Sequence, residues 1–383
     1  RRELVVALAE DFDDAPPVLA MGGELKSTFC LLKGGQAILS QHLGDLEELA
    51  THADYRDAIR LYRDIFRFDP GVIAVDMHPD YLSTQWGEAL AAETDTKLVR
   101  IQHHHAHLAS CLAEHRIEPC TDLTVGIVMD GLGLGKDGTL WGGEFLLGGY
   151  GGFERAGYFL PVSLPGGAQA MREPWRNAVA HLVAAFGDEW RERVAVTRFA
   201  ALLEGKQIGV VEKMIARGLN APLSSSAGRL FDAVAAMLGI CADRQYYEGQ
   251  AAMEMEALAA DYLPSAGAYP VDFVDMDGKI VLSWAPLWEA LLEDLGRGME
   301  TGVIAARFHA GLTEALGDTA MRVAQSAGTQ RIVLSGGVMQ NRALAEMLNV
   351  RLTCAGFDVL VQSRVPANDG GLSLGQAAIA AMS

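Results

Sequence analysis

The chain has 383 residues, 50% of them hydrophobic, enough for two or three domains around a large core. Lys plus Arg number 31 against 49 for Asp plus Glu, a net charge of -18, which argues against a nucleic-acid surface because phosphate recognition needs a basic footprint. No apolar run reaches roughly 18 residues and no signal peptide is visible, so no membrane span is expected.

In chain order, RRELVVALAED lacks a Met and reads as a cut in a longer chain as much as a natural start. PVLAMGG, STFCLLKGG and QAILSQHLG follow as three Gly-punctuated strands, then a helix near Asp54 to Phe66 and a buried strand in GVIAVDMHP. KLVRI is strand-like and leads into the helical run HLASCLAEH. At Asp122 the pattern restarts with LTVGIVMDG, a Gly-rich turn, GTLWGGEFLLGG and FERAGYFLPV. Two such antiparallel sets, each followed by helices and a parallel strand, predict a duplicated lobe, 1–121 and 122–383. From about 167 to 263 the pattern is helical and Ala-rich, an insertion broken at SSSAGR. YPVDFVDMDGKIVLSW reads as a hairpin with Asp277-Gly278 at its turn. A long helix to Gln325, then RIVLSGGVMQNRALAEML as strand, Gly-Gly turn and helix, the strand FDVLVQS and the helix GLSLGQAAIAAM complete the chain. The class is α/β with buried sheets, and the lobes share a cleft.

Four histidines fall within five positions: His103, His104, His105 and His107. On a helix His103 and His107 sit four apart and share a face, while His104 and His105 point elsewhere. Two imidazoles so placed bind one divalent ion if carboxylates complete the shell. The bland alternative is a His-rich helix start with no metal. Asp130 ends a strand and Asp369 precedes the final helix, both at junctions from which a side chain reaches a cleft. An Asp before Gly also makes turns without any ligand. With the two histidines they would form a mixed N/O shell that suits iron or zinc ahead of magnesium.

Two Gly turns are candidates for phosphate contact. VMDGLGLGKDG carries Gly131, Gly133, Gly135 and Gly138, and LSGGVMQN carries Gly336 and Gly337 where a helix N-terminus would face an anion. Neither is a P-loop or a dinucleotide fingerprint, and tight strand turns use Gly with no ligand at all. Asp232, one turn into a helix starting near Gly228, could accept from ribose hydroxyls, or be a surface Asp. The five cysteines are scattered with no CxxC, which reads as free thiols in a reducing cytoplasm.

Together IQHHHAHLAS, MDGLGLGKDGTLWGGEF, REPWRNA, SSSAGRLFDAVAAMLG, YYEGQAAMEME, LSGGVMQNRAL and NDGGLSLGQA resemble the carboxy-terminal carbamoyltransferase region of the HypF family of hydrogenase maturation, with GGELKSTFCL, QHLGDLEE and DMHPDYLST extending the match. The resemblance implies an actin-like, sugar-kinase-like ATPase architecture of duplicated lobes. It implies metal ligation by His103, His107, Asp130 and Asp369. Nucleotide contacts would fall at Gly133, Asp232, Gly249 and Asn341, with Gly336 and Gly337 near the phosphates. The implied reaction passes a carbamoyl group from a carbamoyl-adenylate, formed from ATP in an adenylate-forming domain not visible here, to the C-terminal cysteine thiolate of HypE. AMP leaves, and the thiocarbamate serves hydrogenase cyanide-ligand synthesis. Three other readings stand beside it: an O-carbamoyltransferase on a small molecule, a tRNA threonylcarbamoyl transferase, disfavoured by the acidic charge and the QNR continuation, and a nucleotide-binding scaffold that would need no metal.

Overall fold

A computed structural model describes residues 3–119, 123–263 and 265–383. The first half holds β1 (Leu4–Ala7), β2 (Val18–Ala20), β3 (Cys30–Lys33), β4 (Gln36–Leu39), α1 (Leu49–Phe66), β5 (Val72–Asp76), α2 (Leu82–Thr94), β6 (Lys97–Ile101) and α3 (His103–Glu114). The second begins with β7 (Thr124–Leu134), β8 (Leu140–Gly149), β9 (Gly152–Phe159) and β10 (Val162–Ser163). The insertion follows: α4 (Ala168–Arg172), α5 (Trp175–Phe186), α6 (Trp190–Val194), α7 (Arg198–Leu202), α8 (Ile208–Arg217), the short β11 (Leu223–Ser224), α9 (Ala227–Met237) and α10 (Gln250–Ala259). The hairpin β12 (Asp272–Met276) and β13 (Lys279–Ser283), α11 (Ala285–Gly296), α12 (Thr301–Ala327), β14 (Arg331–Ser335), α13 (Arg342–Cys354), β15 (Asp358–Val361) and α14 (Leu372–Ala381) complete it.

Duplication is visible in the strand order. The first sheet runs β1-β4-β3-β2-β5-β6, and the second contains β9-β8-β7-β14-β15 in the corresponding arrangement. Each is an antiparallel meander whose first strand, β2 or β7, also pairs in parallel with a later one, β5 or β14. The hairpin β12-β13 extends the second sheet beyond β9. The lobe boundary expected between 121 and 122 lies outside the described residues.

Packing crosses the halves. Helix α3 belongs to the first half by sequence yet lies against β7, β8 and β14, while α14 lies against β2, β3 and β5. All twelve residues of α3 and all ten of α14 are buried, as expected for helices enclosed on every side. The two helices meet where Gly375 leaves room for the backbone of α3, since a Cβ there would stand 1.8 Å from the Ala106 carbonyl oxygen. Ser110 Oγ donates to the Gly371 carbonyl at 2.7 Å across the same contact. The N-terminal ends of both helices therefore open at one place between the sheets.

Several local expectations are corrected. Strand β1 and helix α2 were not foreseen: LVVA is an edge strand too short for alternation to register, and LSTQWGEALAAET mixes small and polar residues. The helix expected from Asp54 starts at Leu49. The long helix before Gln325 is two, α11 and α12, separated around the left-handed Gly298. Most of the supposed Gly-rich turn after Asp130 is strand: β7 continues through an irregular stretch between Met129 and Gly133, and the reversal comes only at Gly135, whose N–H donates to the Thr139 carbonyl at 2.9 Å. The helix after Gly336-Gly337 is delayed by a 3-10 turn, Gly337–Gln340.

Candidate functional site

Helix α3 starts where Gln102 caps it, its side chain accepting from His105 N–H at 2.8 Å. This fixes the phase of the first turn and sets His103 and His107 on one face. His104 and His105 are turned away, as the spacing implied: His104 Nδ1 meets Gln102 Nε2 at 3.2 Å and His105 Nε2 meets the Gly149 carbonyl at 2.7 Å. Burial, reinforced by the neighbouring His103, holds the His104 imidazole well below its usual range, and burial brings His105 down to about 4. Both are neutral packing groups.

Asp130 reaches the same point from the irregular stretch of β7, where a bulge re-aims a side chain. Its Oδ1 accepts the Gly337 N–H at 2.9 Å, which leaves Oδ2 to face the histidines. Asp369 enters from the turn before α14, and its Oδ2 lies against Gly23, where a Cβ would come within 3.1 Å. His103 Nε2 is 3.2 Å from Asp130 Oδ2 and 3.5 Å from Asp369 Oδ1, and His107 Nε2 is 3.3 and 3.6 Å from the same two atoms. The ligand atoms of all four residues lie within 4.8 Å of one another. Two ligands on one ion, each about 2.1 Å from it, stand about 3.0 to 3.4 Å apart at octahedral or tetrahedral angles. The quartet is thus close to coordination size.

The decisive detail is orientation. His103 Nε2 and both ring nitrogens of His107 are fully buried yet lack a hydrogen-bond partner. Such atoms are costly unless something else satisfies them. The two Nε2 atoms and one oxygen of each carboxylate face a shared centre. Burial pulls the His103 imidazole down, but the Asp369 and Asp76 carboxylates outweigh it and leave it well above its ordinary value; burial is likewise outweighed by Asp130 at His107. Burial raises Asp130 and Asp369, and the two histidines more than reverse this, so both carboxyls end below the usual range. A divalent ion would substitute for those imidazole protons.

One residue of this centre was missed. Asp76, at the end of β5, receives His103 Nδ1 at 2.8 Å and is itself buried. Its other oxygen accepts the His78 N–H at 2.9 Å. Nδ1 thereby donates to Asp76, so the proton an ion would displace is the one on Nε2. The strand-ending Asp of DMHP was the available signal, of the same kind as Asp130. Asp76→Asn should weaken metal affinity by roughly 10- to 100-fold, measured by metal titration at fixed pH, whereas unchanged affinity would leave Asp76 a packing residue.

The remaining sequence candidates separate. Gly133 faces α3, and a Cβ there would stand 2.7 Å from the His104 ring, so packing by itself requires the glycine. Gly336 combines φ +96° with a Cβ position 2.2 Å from the Met129 carbonyl oxygen. Gly337 spends its N–H on Asp130. Asn341 caps α13, its Oδ1 accepting from Leu344 N–H at 2.9 Å, and its Nδ2 meets His309 Nε2 at 3.0 Å. The Phe231 ring packs on His309 with ring centroids 5.5 Å apart. Asp232 is buried beside Arg229 Nε at 2.9 Å. Gly249 opens α10 in the left-handed region at φ +76° with free space beside it.

Comparison with known proteins identifies the family. Residues 13–114 match the family described as HypF Kae1-like domain, and residues 126–376 the one described as Carbamoyltransferase, Kae1-like Domain, second subdomain. Carbamoyltransferase HypF of Rhodobacter capsulatus is 44% identical over 98% of this chain and 48% of its own length. A carbamoyltransferase HypF homolog of Cupriavidus necator is 40% identical over 96% of this chain and 92% of its own. A crystal structure of full-length HypF in the phosphate- and nucleotide-bound form superposes with TM-score 0.88 at 36% identity, covering 98% of this chain and 47% of that one. The chain spans about half the length of most of these relatives. It belongs to the HypF carbamoyltransferase family and carries that family's Kae1-like domain.

Proposed function

We propose that the cleft transfers a carbamoyl group from a carbamoyl-adenylate to an external thiolate, the C-terminal cysteine of HypE, for cyanide-ligand synthesis in [NiFe]-hydrogenase maturation. The observation that carries this reading is the convergence of His103, His107, Asp130 and Asp369 with unpartnered imidazole nitrogens at the mouth of two crossed helices. A divalent ion held by these four residues, iron or zinc by donor type, would supply Lewis acidity toward the carbamoyl carbonyl. His103 and His107 are wholly buried, whereas the Asp130 and Asp369 side chains are 9% and 17% exposed. Substrate therefore approaches from the carboxylate side.

In the transfer a C–S bond forms between the thiolate and the carbamoyl carbon. The bond from that carbon to the adenylate phosphate oxygen breaks, and AMP departs with the electron pair. We take the nucleophile from outside: of the four described cysteines, Cys30 and Cys111 are buried with thiols pushed well up by burial, burial raises Cys241 to about 11, and Cys354 is exposed at the end of α13. The nucleotide would lie toward Asp232, Gly249 and the Gly336-Gly337 turn. A relative solved with nucleotide bound supports its presence in the family. We place the protein in the cytoplasm on its free thiols, and among the described residues no helix is long and apolar enough to cross a membrane.

The test supplies carbamoyl-adenylate and a peptide ending in cysteine. One carbamoyl mass should appear on the peptide with this chain as sole catalyst, and little or none from carbamoyl phosphate plus ATP. The physical reason is that adenylation needs a separate pocket aligning carbamate with the α-phosphate. No transfer from the supplied adenylate would remove the assignment. Efficient transfer from carbamoyl phosphate and ATP would put adenylation in this chain.

A further inference from the structure

Among the described residues, an ion pair outside the His/Asp cluster joins the two halves: Lys26 Nζ and Glu248 Oε2. Lys26 lies in the bend between β2 and β3, three residues after Gly23, which abuts Asp369. Its backbone is left-handed at φ +48°, held by its own N–H donating to Asp45 Oδ1 at 2.9 Å. A non-glycine residue kept there against its preference is a fixed feature of the bend. Glu248 precedes the left-handed Gly249, and its Oε1 lies 3.9 Å from where a Cβ on Gly131 would stand, next to Asp130.

The charges around this pair are lopsided. Asp130, Asp369 and Glu248 all act on the Lys26 ammonium, whose pKa they raise although burial opposes them. The nearby cation on the α9 side, Arg229, is engaged by Asp232 at 2.9 Å. An adenylate is an anion, and a lysine that exchanged its carboxylate partner for the nucleotide would meet the phosphate with a full positive charge. The pair is partly open to solvent, with side-chain exposures of 29% for Lys26 and 54% for Glu248, so exchanging one anion for another is sterically direct.

We infer that Lys26 is the cation that receives the nucleotide's phosphate and that Glu248 is an internal competitor occupying it until nucleotide enters. The inference rests on the nucleotide reading given under the proposed function. It assigns the two partners of one ion pair opposite effects on binding, which a simple structural clasp would not produce.

Calorimetry with AMP, adenosine and inorganic phosphate on the metal-loaded chain decides it. Lys26→Met, which keeps the aliphatic stem, should weaken AMP roughly tenfold or more through loss of a charge-assisted contact. Glu248→Gln should tighten AMP about two- to fivefold, the scale of a part-exposed ion pair. Inorganic phosphate should follow AMP in both variants, and adenosine, lacking the phosphate, should be indifferent to both. Weaker AMP binding in both variants, or no change in either, would overturn the inference and leave a clasp between the halves. Wild-type protein that binds no AMP would instead sink the nucleotide reading, and this inference with it.

Discussion

His107→Ala should purify folded, without metal and without carbamoyl transfer. Of the four converging residues His107 has the least structural work to lose, since neither ring nitrogen holds a hydrogen bond and alanine is the best helix former. The helix is capped by Gln102 and locked against α14 independently of this side chain. Removing one imidazole leaves three donors, two of them carboxylates with one fewer positive partner, so affinity should fall beyond detection at micromolar metal. Elemental analysis and circular dichroism of the purified variant check the two halves of the claim. Wild-type metal content in a folded variant would dismiss the centre as assigned. The same site predicts a pH signature. Because the carboxylates raise His103 and His107, protons compete with the ion. Metal affinity of the wild type should therefore rise with pH as the imidazoles lose their protons, and binding should release protons into a weakly buffered solution.

Gly375→Ala should destabilise the protein by about 3 kcal/mol or more and also pull apart the His/Asp cluster proposed to hold metal. A Cβ at this position would stand 1.8 Å from the Ala106 carbonyl oxygen and 2.8 Å from Ser110 N, both backbone atoms of α3 that no rotamer change can move. The helices would have to part, and their N-terminal ends carry His103, His107 and Asp369. A shift near 1 Å at such a site is enough to spoil catalytic geometry. Gly209→Ala is the control: it lies in α8 with open space beside it and ordinary helical backbone, so it should be neutral or stabilising by up to about 1 kcal/mol. Denaturant unfolding of both variants, together with metal titration, measures the difference. Equal stabilities would mean that α3 and α14 tolerate separation.

The four residues that converge were legible as candidates from residue order because each part obeys a local rule. His103 and His107 are four apart on one helix, and Asp130 and Asp369 stand at strand and helix junctions. The duplicated α/β class was legible for a similar reason, since strand and helix periodicities and Gly punctuation are short-range signals. Asp76 was not singled out, because its role is a 2.8 Å contact with His103 across 27 positions of chain. Gly133 could be read as a phosphate turn or a packing glycine, and only the histidines lying on it explain it by packing. The Gly337 N–H could have faced a ligand but meets Asp130, and Asn341 holds His309 and a helix end. Nor did the order of the halves reveal that α3 packs on the second sheet and α14 on the first. What the sequence alone determined was most of the elements and the residue types of the candidate ligands, which follow from neighbours within a few residues. What the tertiary structure decided was which groups face one another across the two sheets, because those contacts depend on how buried surfaces a hundred or more residues apart fit together.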